Sequence, residues 1–379
     1  MSDDFFTKLF GDSEPTNLGS GWVSGTASVF FGVLSLGGVL TLHFPGLLTL
    51  PEARAVYPID IIRLLLQGTI AATLVLGAIS AIVRERKVLG LTGAALGLVA
   101  VLLGGASTPL GEVGTKVGLG LDWFLLDLLV MTIVFVPLER LWPLHPGQST
   151  FRPEWTTDAF YFVATHLPAQ LITFAMLLPA TFASKWLAIP SLMQTVGGLP
   201  FLVQLPMAIV VADLAQYATH RAFHKIPFLW RFHSIHHSIK TMDWIAGSRS
   251  HFVDILVTRG LILIPMTLLG FSHGTMAGYL VFVAFHATFS HTDFRPRTRW
   301  LEPWFVTVRY HHWHHAADPD AVDVNFAIHF PFIDRLFGTY HLPKDAWPER
   351  YGLVGSSVPS GFFRQFLAPF ARKKAAVTG

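Results

Sequence analysis

The chain has 379 residues, 52% hydrophobic and only 13% charged, with a formal charge of +3 and a mean hydropathy of +0.49. A soluble domain carries about twice that charged fraction, so the composition describes a membrane protein, and no nucleic-acid-binding module is visible. There is no cysteine, which excludes disulfides, thiolate nucleophiles, iron–sulfur clusters and thiolate-ligated haem.

The first 20 residues are acidic and polar and lack the basic start, apolar run and cleavage site of a signal peptide. Eight apolar spans are predicted after them, at about 22–45, 59–83, 88–107, 121–138, 157–183, 201–219, 253–272 and 274–290. Each is near the ~20 residues needed to cross a bilayer. The spans before residue 140 are rich in Gly, Ala and Leu and read as packing helices. His166, alone on an apolar helix, reads as a hydrogen-bonded packing residue. Placing Arg84, Arg86 and Lys87 in the cytoplasm puts both termini there by counting crossings. From 293 to 379 the chain turns to charges, prolines and aromatics and reads as a cytoplasmic cap, with Arg372, Lys373 and Lys374 in its tail.

Of the 18 histidines, 15 fall between positions 220 and 341. On a helix, residues three and four apart share a face. His220 and His224 therefore point one way, as do His233, His236 and His237, and again His311, His314 and His315. These eight imidazoles suffice for two metal ions, and imidazole suits iron, zinc or copper. Asp213 lies two turns before His220, roughly on its face, where it serves either as a hydrogen-bond partner for a ligand imidazole or as a helix-packing polar contact. Asp323-Val324-Asn325-Phe326 and the stretch from Asp334 to Thr339 are further sources of supporting polar groups, Asp323 and Asn325 first among them.

Laid out in order, these features resemble the fatty acid hydroxylase/sterol desaturase superfamily of membrane di-iron oxygenases. The carrying motifs are His220-Arg221-x-x-His224, Leu229-Trp230-Arg231-Phe232-His233-Ser234-x-His236-His237-Ser238, Arg249-x-His251, Phe289-Ser290-His291 and His311-x-x-His314-His315. Asp323-x-Asn325-Phe326 and Asp334-x-x-Phe337-Gly338-Thr339 complete the set, which covers about 210–340. The nine residues from His224 to His233 and the long gap before His311 resemble the alkylglycerol monooxygenase-like branch and its bacterial members. With the eight spans counted above, the fold expected is an all-α polytopic membrane protein whose histidine-rich di-iron cap the resemblance implies; the resemblance leaves the first four spans unexplained. The expected domains are 1–140, transmembrane helices of unassigned role; 141–345, the catalytic domain; and 346–379, a C-terminal tail.

It further implies two non-haem irons held by the eight clustered histidines, with His291 as a ninth ligand and His251 and His286 as weaker candidates. The implied enzyme uses O2 to hydroxylate or desaturate a fatty acyl, sterol or ether lipid. No flavin or nicotinamide fingerprint is present, so electrons come from a separate reductase, ferredoxin or cytochrome. The implied location is the membrane, the inner one in a bacterium, with the metal site cytoplasmic. A histidine-rich metal transporter and a bis-histidine haem electron-transfer protein are the other classes. The first places ligands at the bilayer midplane and the second on facing spans, whereas these histidines crowd at helix ends.

Overall fold

The structure is a computed structural model that describes residues 16–114, 118–295, 299–355 and 357–371. Among these the regular elements are helices, with two isolated bridges and no strand. The chain is an all-α, polytopic helical membrane protein. Most of the acidic start, and the basic Arg372, Lys373 and Lys374, lie outside the described residues. The chain forms two compact units, residues 1–133 with 166–171 and residues 134–165 with 172–379.

The first unit is built on α1 (Trp22–His43), α2 (Ile59–Val83) and α3 (Val88–Leu102). Glycine lets these helices approach closely. A Cβ on Gly90 would meet the Gly77 carbonyl oxygen at 2.5 Å, and one on Gly97 the Thr73 methyl at 2.8 Å. Such contact replaces the hydrophobic drive that lipid cannot supply. Ser28 Oγ donates to the Thr73 carbonyl at 2.7 Å and Ser80 Oγ to that of Gly21 at 2.8 Å, so buried hydroxyls reinforce the seams. In the same unit His166 Nδ1 meets Asp127 Oδ2 at 2.7 Å, the packing role its sequence context implies.

Later helices are α4 (Leu121–Leu141), α5 (Trp155–His166), α6 (Ala169–Leu187), α7 (Pro190–Gly197), α8 (Phe201–Lys225), α9 (Pro227–His233), α10 (Phe252–Leu269) and α11 (His273–His291). Among the described residues six helices are long and apolar enough to cross a membrane: α1, α2, α3 as far as Ser107, α4, α8 and α10. The span expected at 157–183 is broken into α5 and α6, which count as a seventh if taken together. Pro168 lies in that break; it has no amide to donate and its ring crowds the preceding turn. Helix α11 has 19 residues, but His273, His286 and His291 lower its apolar character, and it falls outside the six. By length and composition the number of spans is therefore six or seven.

In the second unit α8, α10 and α11 share a core of Ala208, Ala212, Ile262, Met266, Tyr279 and Val283. Helix α10 ends at Gly270, left-handed at φ +75°, where a Cβ would strike Met193 at 2.6 Å. Ser272 then caps α11 by accepting from the Thr275 amide. Beyond α11 the chain forms short helices, α12 (Val308–His314), α13 (Pro331–Phe337) and α14 (Phe362–Leu367). Part of the segment expected as a tail is therefore folded: the Phe366 carbonyl of α14 accepts from His251 Nε2 at 3.0 Å.

Candidate metal centre

Four segments of the second unit deliver histidines to one interior volume. The C-terminal end of α8 carries His220 and His224. Pro227 starts α9 immediately afterwards, and a tight 3-10 turn then presents His236 and His237. Thr307 caps α12 by accepting from the Tyr310 amide, and that helix carries His311 and His314, with His315 at its end. His291 closes α11. Nine ring nitrogens sort into two groups: His220, His224, His233, His237 and His314, and His236, His291, His311 and His315. Within each group the ligand-type atoms lie within 4.8 Å of one another, and all but the partly exposed His224 are buried.

Six of the nine rings are fixed by what the other nitrogen does. Nδ1–H donates to a backbone carbonyl in four of them: His220 to Phe326 at 2.8 Å, His236 to Arg249 at 3.1 Å, His291 to Ala287 at 2.7 Å and His314 to Val324 at 2.8 Å. His233 Nδ1 donates to Asp254 Oδ2 at 2.7 Å and His224 Nδ1 to Asp323 Oδ1 at 3.1 Å. An imidazole that donates from Nδ1 keeps a bare lone pair on Nε2. In this structure the lone pairs point at each other. His220 Nε2 and His233 Nε2 are 3.0 Å apart, and His236 Nε2 and His291 Nε2 are 3.3 Å apart. Neither pair has a proton to share. The buried Nε2 atoms of His224, His237 and His314, and Nδ1 of His315, have no hydrogen-bond partner at all.

Buried unpaired acceptors are costly, and one cation per group satisfies the whole set. The donor set therefore fits metal ions, and all-imidazole ligation suits iron, copper or zinc. Burial, followed by the fields of neighbouring imidazoles, holds His236, His237, His311, His314 and His315 below the usual histidine range. They are therefore neutral at pH 7, the form that ligates.

The supporting groups differ in part from those the sequence indicated. Asp323 does reach a ligand-type imidazole, that of His224. Asp213 does not: its two oxygens accept the amides of Ile328, His329 and Phe330 at 2.7–3.2 Å. Helical phase places it below His220, but the 328–330 backbone takes both its oxygens. Asn325 acts through the chain, donating to the His341 carbonyl at 2.6 Å and accepting from the His341 amide at 2.8 Å. Asp323 and Asn325 both adopt left-handed backbone, φ 61° and 58°, and in this segment the carbonyls of Val324 and Phe326 meet His314 and His220. Asp334 accepts the Phe326 and Ala327 amides at 2.8 and 2.9 Å and so pins the same segment.

His251 and His286 lie outside both groups. His251 caps α10 through Nδ1 and donates from Nε2 to Phe366, so both nitrogens are used. His286 Nε2 donates to the Val306 carbonyl at 2.8 Å and its Nδ1 meets His329 Nδ1 at 2.7 Å. Asp254 is the partner that the sequence did not flag; it stands 21 residues after His233 at the start of an apolar helix. A second unflagged feature holds the His236 loop. Arg152 binds Asp243 through two bonds of 2.8 and 2.6 Å and Asp158 at 2.7 Å, while Arg249 binds Asp158 at 2.5 Å and Glu154 at 2.9 Å. Arg249 is the residue whose carbonyl orients His236.

A cavity of about 650 Å³ opens beside the centre. His220, His233, His236, His291 and His311 line it near the metal-binding groups, and Met193, Gly270, Phe271 and His273 line it near the α10–α11 turn. From Asp254 to Gly270 is 16 residues of helix, about 24 Å at 1.5 Å per residue. The intervening wall is largely apolar, with Met176, Ile262, Leu263, Met266, Met276 and Leu280.

Similarity to known proteins falls on the same stretch of chain. Residues 205–339 match the family described as fatty acid hydroxylase. An ornithine lipid hydroxylase of Rhizobium tropici is 33% identical over 46% of this chain and 52% of its own length. An alkylglycerol monooxygenase of Caenorhabditis elegans is 28% identical over 38% of this chain and 28% of its own. A fatty acid hydroxylase of a Lecanicillium species is 29% identical over 36% and 41% respectively. The chain thus spans about half the length of the first of these relatives and less of the others. No solved structure matches.

Proposed function

From a chain whose residues 205–339 match the fatty acid hydroxylase family, we propose an integral-membrane oxygenase that hydroxylates a C–H bond of a lipid at a two-metal centre. The observation that carries this reading is the pair of histidine groups, with their lone pairs opposed, at one end of an apolar cavity of acyl-chain scale. His220, His224, His233, His237 and His314 would hold one iron, and His236, His291, His311 and His315 the other. When bound, the irons supply activation of O2 toward an unactivated C–H bond, chemistry that side chains alone do not provide. The balance is R–H plus O2 plus two electrons and two protons, giving R–OH plus water. The chain carries no electron carrier motif, so the electrons come from a separate reductase, ferredoxin or cytochrome.

The protein's share is placement. Asp254, Asp323 and four backbone carbonyls hold the imidazoles in one tautomer, keeping ligand nitrogens aimed inward. Met176, Leu263, Met266 and Leu280 exclude water and align a hydrocarbon chain. The names of the relatives point to lipids: an ornithine lipid, an alkylglycerol and a fatty acid. Hydroxylation is favoured over desaturation because the three relatives named are hydroxylases or a monooxygenase. The decisive experiment purifies the protein in detergent, counts its metals, and supplies a chemical reductant, 18O2 and a total membrane lipid extract. Two irons per chain and one 18O in a lipid product are expected. Iron-loaded protein that consumes O2 yet leaves every lipid unlabelled and unsaturated bonds unchanged would defeat the reading.

A further inference from the structure

Arg259 stands near the middle of α10, eighth of its 18 residues, and lines the cavity. An ionised side chain inside a membrane span is costly and is normally paired or functional. No hydrogen bond or ion pair engages Arg259 among the described residues, although acidic groups lie near. Asp254 is taken by His233 and by Thr258 Oγ1. Asp213, the other intramembrane carboxylate on this side, is fully committed to three backbone amides. Arg259 thus lines the cavity without a carboxylate of its own, with the Tyr279 phenol, another lining residue, within its field.

Its depth is set by helix geometry. Arg259 lies five residues beyond Asp254, about 7–8 Å along α10 from the carboxylate that holds His233. Gln216, which lines the same cavity, lies four residues before His220, about 6 Å back along α8. Cation and carboxamide therefore sit at matched depth, one short step from the histidine groups. On the far side the wall becomes apolar, with Leu263, Met266, Met276 and Leu280. Side chains on a helix lean toward its N-terminus, which tilts Arg259 toward the histidines.

We propose that Arg259, assisted by Gln216, binds the oxyanion of an anionic lipid inside the cavity. The substrate is then an acidic amphiphile, bearing a carboxylate or a phosphate. Its hydrocarbon chain fills the apolar reach toward the α10–α11 turn. Oxygenation consequently falls within a few bonds of the anionic group and not in mid-chain. A planar guanidinium suits either oxyanion through paired hydrogen bonds. This inference rests on the lipid-hydroxylase reading above and adds charge selection and reaction position to it.

The test uses the full chain, purified after growth with added iron, in an uncharged detergent, with three probes of one chain length: oleate, oleyl phosphate and oleyl alcohol. Equilibrium dialysis should show oleate or oleyl phosphate bound at least 10-fold more tightly than oleyl alcohol. Whichever anion prevails identifies the source of the oxyanion. In R259Q the preference should vanish with iron content unchanged, R259K should restore part of it, and R259E should prefer oleylamine over oleate. The reversal in R259E is a gain that misfolding does not produce. Equal binding of the alcohol and both anions by the unaltered protein, or an anion preference that persists in R259Q, would overturn the proposal. Iron content is read separately: a chain that binds the anions selectively but holds no iron would keep this site and remove the oxygenase reading.

Discussion

His233 shows how much one side chain carries. Its Nδ1–H is spent on Asp254 and its Nε2 faces His220 at 3.0 Å, so it is expected to ligate through Nε2 alone. His233→Ala should lose metal and turnover together, and so should the same change at His236, His237 or His314; metal analysis of each purified variant checks this. His251→Ala should keep its metal, because His251 is a helix cap with both nitrogens engaged elsewhere. Asp254→Asn should weaken iron binding by about 10-fold, the lower end of the effect of losing an orienting carboxylate; competition with a chelator measures it. Asp213→Asn should leave iron content unchanged and lower the melting temperature, since the carboxylate serves three amides and no imidazole. The clustering of the histidines was legible from their spacing, but the shared faces were not: His236 parts from His233 and His237, and His314 from His311 and His315. Asp254 was not legible either, because no local pattern ties a carboxylate to an imidazole 21 residues away. Of the two readings of Asp213, partner of a ligand imidazole or polar packing contact, the first fails for the converse reason. Its helical phase was right, but its partners lie 115–117 residues further along the chain.

At the level of elements, apolar runs located the long helices well and their continuity less well. The run at 157–183 is interrupted by Pro168, a signal visible in the sequence but outweighed there by hydrophobicity. Conversely, α8 continues as a helix to Lys225, past the end of its apolar stretch, because its last turns carry the histidines inward. The α10–α11 hairpin depends on Gly270. Gly270→Ala should cost more than 1 kcal/mol, combining left-handed backbone with a Cβ 2.6 Å from Met193. A lowered melting temperature in detergent, with iron content per folded chain unaltered, is the expected result.

For the molecule as a whole, the first unit contains none of the nine clustered histidines. A chain beginning near Trp142 should therefore bind iron while losing stability, a result that metal analysis of the truncated protein would show. Six helices pass as spans and the bent α5–α6 pair makes seven; the eight expected from the sequence require α11 to cross as well. An even number returns both termini to one side, and Arg84, Arg86 and Lys87 favour the cytoplasm for it. Reporter fusions at the C-terminus and in the turn at 273–275 should then report opposite sides. A C-terminus found outside would remove cytoplasmic electron donors from the scheme.

The opposed lone pairs carry a consequence for the living cell. Nine mostly buried imidazoles gathered in two groups make a bound metal a folding ligand, since whatever binds only the native state adds to its stability. At a free metal level 1,000 times the dissociation constant that gain is about 4 kcal/mol, a sizeable part of the total for a typical domain. Newly made chains that miss their metal should therefore be cleared by quality control. The abundance of this protein in the membrane should track iron supply even when its synthesis is held constant.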